Sequence, residues 1–186
     1  MAIITDNIEN DNQKEQRISD FLKEFRVNAV LRRFGADREK GYPLKQVWAF
    51  IFSLVFSGRN LYRTVNSDKY DGMGKDVIYR FLNSVKIHWE RVLLVLALSV
   101  ICRITPLTSE TRRNAIVVDD TCFYRDRSKM VELICKGRDH SKDQYYKGYR
   151  MLTLGWTDGV DFIPYAFQLM SSSDPDKRIC ESKPFL

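Results

Sequence analysis

Residues 149–169 constrain the fold more than any other stretch. Tyr149-Arg150-Met151-Leu152-Thr153-Leu154-Gly155-Trp156 carries residues that suit a pleated surface, and residues 162–169 repeat that character. Asp158-Gly159 lies between them and is a turn pair. The two arms are therefore predicted to form an antiparallel hairpin. Ile163, Tyr165, Phe167 and Leu169 are spaced two apart, so they are predicted to share one face, which something must cover.

A second strand is predicted upstream. Ile116-Val117-Val118 is a β-branched run that reads as a buried strand, and it stops on Asp119-Asp120-Thr121. Carboxylates at a strand end are good anchors for a hard divalent cation. The bland alternative is that they begin a surface turn. Beyond them Arg125, Arg127 and Lys129 recur every two residues, and in an extended segment all three would share one face and could meet phosphates. Residues 131–135 are predicted to be a short strand and residues 136–146 a charged, aromatic loop.

The first half reads as helical. Residues 1–16 are rich in Asp, Asn and Glu, lack the basic start and apolar core of a signal peptide, and are expected to be a disordered leader. A helical domain is expected over residues 17–105. Ile18, Phe21, Leu22 and Phe25 have helical spacing, continued by Val30, Leu31 and Phe34 until Gly35 ends the segment. Pro43 opens a second helix running to about residue 57.

The apolar runs at residues 47–56 and 92–101 are about half the roughly 20 residues needed to cross a bilayer. They are predicted to be central helices of an all-α bundle, buried on nearly every side, with Trp48, Phe52, Leu94 and Leu98 in its core. Between them a short helix over residues 75–84 turns Val77, Ile78, Phe81 and Leu82 inward and carries Lys75 and Arg80 on its polar face. Helix, loop and short basic helix is the outline of a helix-turn-helix that reads DNA, although the loop exceeds the standard turn. Two ordinary helices with solvated charges are the alternative. Residues 106–114 read as a linker.

A formal charge of +6 favours an anionic partner without naming it. Cys102, Cys122, Cys135 and Cys180 are far apart, with no CxxC pair and two histidines in the chain. That pattern argues against a zinc site or a disulfide framework and fits a reduced cytosol.

Residues 117–172 resemble the start of the catalytic domain of bacterial insertion-sequence transposases of the DDE type. The resemblance is carried by Val118-Asp119-Asp120-Thr121, the basic loop leading to Val131-Glu132-Leu133, and Lys147-Gly148-Tyr149-Arg150-Met151-Leu152-Thr153-Leu154-Gly155-Trp156-Thr157-Asp158-Gly159 with Phe162-Ile163-Pro164. It implies an α+β chain: an N-terminal helical bundle, then, over residues 115–186, the first antiparallel strands of a ribonuclease-H-like domain.

The resemblance also implies an active site of two Asp and one Glu holding two Mg²⁺ or Mn²⁺ ions, which activate a water or 3′-hydroxyl and stabilise the leaving oxygen of a phosphodiester. Asp119 matches the first catalytic Asp and metal ligand, with Asp120 and Thr121 its neighbours and Asp120 the alternative ligand. The implied partner is double-stranded DNA at the terminal repeats of a mobile element, contacted by Lys75, Arg80, Arg125, Arg127, Lys129, Lys147 and Arg150. A homo-oligomer working on the nucleoid in a bacterial cytoplasm is implied too, with no membrane.

The sequence departs from the family in carrying no match to the second Asp or the Glu, which should lie beyond a further helix and strand. The chain is therefore expected to be the N-terminal portion of a transposase that does not catalyse alone. A phosphoacceptor receiver domain needs a helix directly after the acidic strand, and residues 122–146 have no helical period. A haloacid-type phosphatase needs Asp two residues after the first Asp, where this chain has Thr121. The stronger rival is a non-catalytic DNA-binding regulator.

Overall fold

The computed structural model describes residues 2–37, 40–56, 58–67, 70, 72–107, 111–129 and 131–179, with side chains from residue 13 onward. Its order of elements is α+β: six helices, then a four-stranded antiparallel sheet. The chain divides into two compact units, Met1–Ser99 and Val100–Leu186, so the division falls inside a helix and not at the expected linker. Part of that linker, and Cys180, lie outside the described residues.

The helices are α1 (Ala2–Glu24), α2 (Val27–Arg33), α3 (Leu44–Phe56), α4 (Leu61–Val65), α5 (Lys75–Leu82) and α6 (Trp89–Ile104). The expected leader is helical: α1 starts at Ala2, and residues 2–24 contain neither Gly nor Pro to interrupt it. One helix was expected from Arg17 to Gly35, yet the chain breaks at Arg26, whose φ of 49° is left-handed and cannot continue a right-handed helix. Gly35 ends α2 as expected. Its φ is 95°, and a Cβ there would stand 1.9 Å from the Lys86 carbonyl oxygen.

Val27, Leu31, Val47 and Ile78 are the most deeply buried side chains of this unit. Around them Trp48 stacks on Phe52 and Trp89, with centroids 6.1 and 6.0 Å away, and meets Phe81 edge-on. Ile78 and Phe81 face inward from α5, while Lys75 and Arg80 are exposed, as their spacing predicts. The apolar helices are not buried all round. Val55 and Phe56 on α3 are exposed, and so are Leu94 (41%) and Leu98 (49%) on α6, because α6 turns Val92 and Ala97 inward instead. No helix among the described residues is long and apolar enough to cross a membrane.

In the second unit β3 (Gln144–Thr157) is the spine. β1 (Ala115–Tyr124) runs antiparallel along one edge, from Ala115 opposite Thr157 to Tyr124 opposite Gly148. The other edge is shared by β2 (Cys135–Asp139), paired with residues 144–148, and β4 (Phe162–Met170), paired with residues 150–157. The predicted hairpin is present as β3 and β4, with Gly159 at φ 95° in its turn.

Five sequence expectations are corrected here. β1 does not stop at the acids but continues to Tyr124, and it is not buried: Ile116 is 70% and Val118 59% exposed, since β1 is an edge strand that nothing among the described residues covers. The strand expected at residues 131–135 begins at Cys135, because Leu133 adopts φ 65° in a turn closed by the Ile134 amide and the Val131 carbonyl. The loop expected at 136–146 is therefore mostly strand. Finally, a bulge at Tyr165, where Leu154 opposes Ala166 and Gly155 opposes Pro164, breaks the alternation of β4. Ile163 lies on the face of Trp156 and Leu154, whereas Phe167 and Leu169 lie on the other.

Gly148 fixes how closely β1 approaches β3. A Cβ on it would stand 1.8 Å from the Phe123 carbonyl oxygen, so a backbone must move. Gly148→Ala is expected to destabilise the sheet by about 1–3 kcal/mol, the usual range for overpacking, and to speed amide exchange in β1 before β4. Unchanged exchange in β1 would remove this role from Gly148.

Candidate active site

Alternation along β1 separates the two acids. Asp119 opposes Thr153 and Asp120 opposes Leu152, so their side chains leave the sheet on opposite faces. Asp120 is engaged: its carboxylate accepts from the Arg150 guanidinium at 2.9 Å, and Arg150 also donates to the Arg138 carbonyl at 2.9 Å. Arg150 thus ties β1, β2 and β3 together and is not a free phosphate-binding cation. The Asp119 side chain is exposed and makes no ion pair or hydrogen bond among the described residues.

The face of Asp119 also carries Thr121, Phe123, Lys147 and Tyr149. Phe123 and Tyr149 stack with centroids 5.7 Å apart, and the Arg125 guanidinium lies 5.9 Å from the Tyr149 ring centre. The expected trio Arg125, Arg127 and Lys129 does not form one extended face. The Ser128 amide bonds the Arg125 carbonyl at 2.9 Å, turning the chain, while the Arg125 amide is held by the Lys147 carbonyl at 2.7 Å. All three side chains are exposed, and Arg125 alone of them is placed against Tyr149.

The opposite face holds a polar network that the sequence did not announce. A cleft of about 560 Å³ reaches this network, and Asp119 and Thr121 line it as well as Asp120, Tyr124, Asp139, Ser141, Lys142 and Arg150. The Asp139 carboxylate accepts from the Ser141 hydroxyl at 2.6 Å, from the Tyr124 hydroxyl, and from the amides of Ser141 and Lys142. These bonds, the Ser141 hydroxyl foremost, hold it at about pKa 2. Asp139-His140-Ser141 is a local side-chain-to-backbone turn, and Asp followed two residues on by Ser was the available signal.

A second buried acid, Asp158, takes the amides of Asp161 and Val160 at 2.8 and 3.0 Å and the Arg112 guanidinium at 2.7 Å. The Asp161 amide first, then Arg112, hold it at about 2. The pair fastens the hairpin tip to the segment leading into β1.

Both acids lie below the ordinary 3.8 in the folded chain. The stability they add is therefore complete above about pH 4 and is lost as the pH falls from there through 2. The thermal midpoint should drop across that window, and Asp158→Asn should shrink the drop. An identical drop in the variant would show that this contact is not what titrates.

Residues 57–183 match the family model of the DDE superfamily endonucleases, more than half of the 186 residues. The chain belongs to this family. The match reaches back across α4, α5 and α6, well beyond the segment that carries the sequence resemblance. Comparison with curated proteins and with solved structures gave no match.

DDE endonucleases typically use divalent metals. In this one Asp119 and Asp120 are both exposed carboxylates that could hold a metal; Asp119 has no cation beside it, whereas Asp120 is paired with Arg150. No three His, Cys, Asp or Glu side chains among the described residues converge on a metal position. That donor set falls short of a two-metal centre.

Proposed function

We propose that this DDE endonuclease is a DNA transposase, cleaving and joining strands at the ends of an insertion sequence. We assign its sheet to the opening of a ribonuclease-H-like domain. Asp119 is the first acidic ligand for Mg²⁺ or Mn²⁺, and the further acids come from outside the described residues. When bound, such ions activate the attacking oxygen and stabilise the leaving one. The chain's own part is to present one uncompensated carboxylate beside a strip that can hold a phosphate backbone.

The observation carrying this reading is the asymmetry of the acidic pair. Asp119 stands free on the face that bears Lys147, Arg125 and the Phe123–Tyr149 stack, whereas Asp120 is neutralised on the other. Cations and aromatic faces together suit a nucleic-acid backbone. Lys75 and Arg80 on α5 would add contacts from the helical unit, in the manner of a DNA-reading helix.

Binding to duplex DNA, followed by fluorescence anisotropy, should weaken steeply with salt. Each neutralised phosphate contributes a log–log slope of about −0.9. Replacing Arg125 and Lys147 together by Ala should flatten the slope by roughly 1.8, two such contacts. An unchanged slope would remove the strip from the DNA path. The incomplete acid set favours one other reading, a regulator that binds DNA without cutting it. Specific binding with no cleavage under Mg²⁺ or Mn²⁺, even when the remaining catalytic residues are supplied, would favour that regulator.

A further inference from the structure

On the face of Asp119, where β2 pairs with β3, two lysines stand directly opposite each other, Lys136 and Lys147. Opposed side chains in an antiparallel pair have Cβ atoms about 4.5–5.5 Å apart, and like charges there are destabilising. Neither ammonium has an ion pair or hydrogen bond among the described residues. Lys147 is half-buried, so it is less free than Lys136 to swing out into water. The next opposed pair on this face is Arg138 and Tyr145, another cation and a ring that is 81% exposed.

Lys136 also borders a cleft of about 510 Å³ at the outer edge of β2, whose wall includes Arg138, Lys177 and residues 171–173. No Asp or Glu is among the described residues that line it. Arg138 and Lys177 are paired with Asp143 and Asp174, but both pairs are exposed, and such pairs hold weakly enough to yield to a phosphate. The Ser171 hydroxyl, from the same wall, is buried and has no hydrogen-bond partner among the described residues. Repelling cations and an unused hydroxyl donor are satisfied together by one ligand chemistry, the phosphate group.

We propose that Lys136 and Lys147 grip one phosphate of the DNA backbone between them, and that the backbone runs on from there over β2 to the cleft of Arg138 and Lys177. This rests on the reading of the Asp119 face as a DNA path and carries that path onto β2. Lys147 lies about 20 Å along β3 from Thr153, the partner of Asp119, at about 3.4 Å per residue. The clamp therefore holds DNA well away from the metal position and acts on binding. The repulsion between the lysines is the cost of keeping it ready.

The test uses the full chain and two probes, duplex DNA and inorganic phosphate. Lys136→Glu turns the repelling pair into an ion pair and destroys the clamp. Its thermal midpoint without ligand should rise by a few degrees, while its dissociation constant for duplex DNA should increase at least tenfold. Lys136→Arg should keep both parent values. Lys136→Gln and Lys147→Gln should each weaken DNA binding, and together by clearly less than the product of the two losses, because they share one phosphate. Inorganic phosphate should raise the midpoint of the parent chain and leave that of Lys136→Glu where it was. An unchanged or lower midpoint in Lys136→Glu, undiminished DNA affinity, or losses that simply multiply would each overturn the clamp. If the parent binds no duplex DNA yet phosphate protects it and not Lys136→Glu, the clamp stands and the DNA reading of this face falls. If duplex binding depends on Arg125 and not on Lys136, that reading stands and the clamp falls.

Discussion

Asp119→Asn is expected to abolish metal-dependent strand cleavage in the assembled enzyme while leaving DNA affinity unchanged or slightly higher. The substitution keeps the shape of the side chain and removes its charge. A divalent cation contributes several kcal/mol to the transition state, and each 1.36 kcal/mol is a factor of ten. The loss should therefore be on the order of a thousandfold or more. DNA binding should survive, because Lys147 and Arg125 remain and a negative charge has left their face. Asp120→Asn removes the partner of Arg150 instead, so it should loosen the sheet and cost far less activity. A second readout does not need turnover: Mn²⁺ should broaden amide signals near residue 119 in the parent chain and not in Asp119→Asn. Broadening that follows Asp120 would exchange the roles of the two acids.

The second large effect belongs to the helical unit. Ile78 is fully buried on α5, and Ile78→Ala should destabilise that unit by about 2–5 kcal/mol, the usual cost of emptying such a site. Leu98→Ala on α6 removes a side chain that is already half in water and should cost well under half as much. Thermal or urea unfolding of the two variants reads the difference directly. Equal losses would return Leu98 to the core.

That contrast marks where the sequence was legible. Periodicity placed α3, α5 and α6 in order and turned Ile78 and Phe81 inward correctly, because helical spacing records which side chains share a stripe. It does not say how wide the covered stripe is, and so spacing alone puts Leu94 and Leu98 in the core although they are exposed. Residues 116–118 failed for a related reason. Three β-branched residues report a strand, but burial depends on whether another element covers it, and β1 is an edge.

The hairpin was legible from Asp158-Gly159 and its apolar arms, whereas the Tyr165 bulge was not, since it arises from pairing. Arg112 and Asp158 are 46 residues apart, and no local pattern joins them. At the candidate site the acidic pair was visible at once. Which acid is free depends on Arg150, thirty residues on from Asp120, and the pairing register of β1 with β3 decides it.

The placement of β3 as spine also sets an order of assembly. Only four residues separate β2 from β3, and four separate β3 from β4, so both neighbours form local hairpins along one edge of β3. β1 must instead close the ten residues between it and β2 to reach β3. By loop-closure entropy that step costs roughly 0.8 kcal/mol more than a four-residue link, and non-local pairings form late. The strand bearing Asp119 is thus expected to dock last onto hairpins already formed, and to be the first to peel away. Catalytic competence would then be gained and lost through a local opening, with β2, β3 and β4 still folded beneath it.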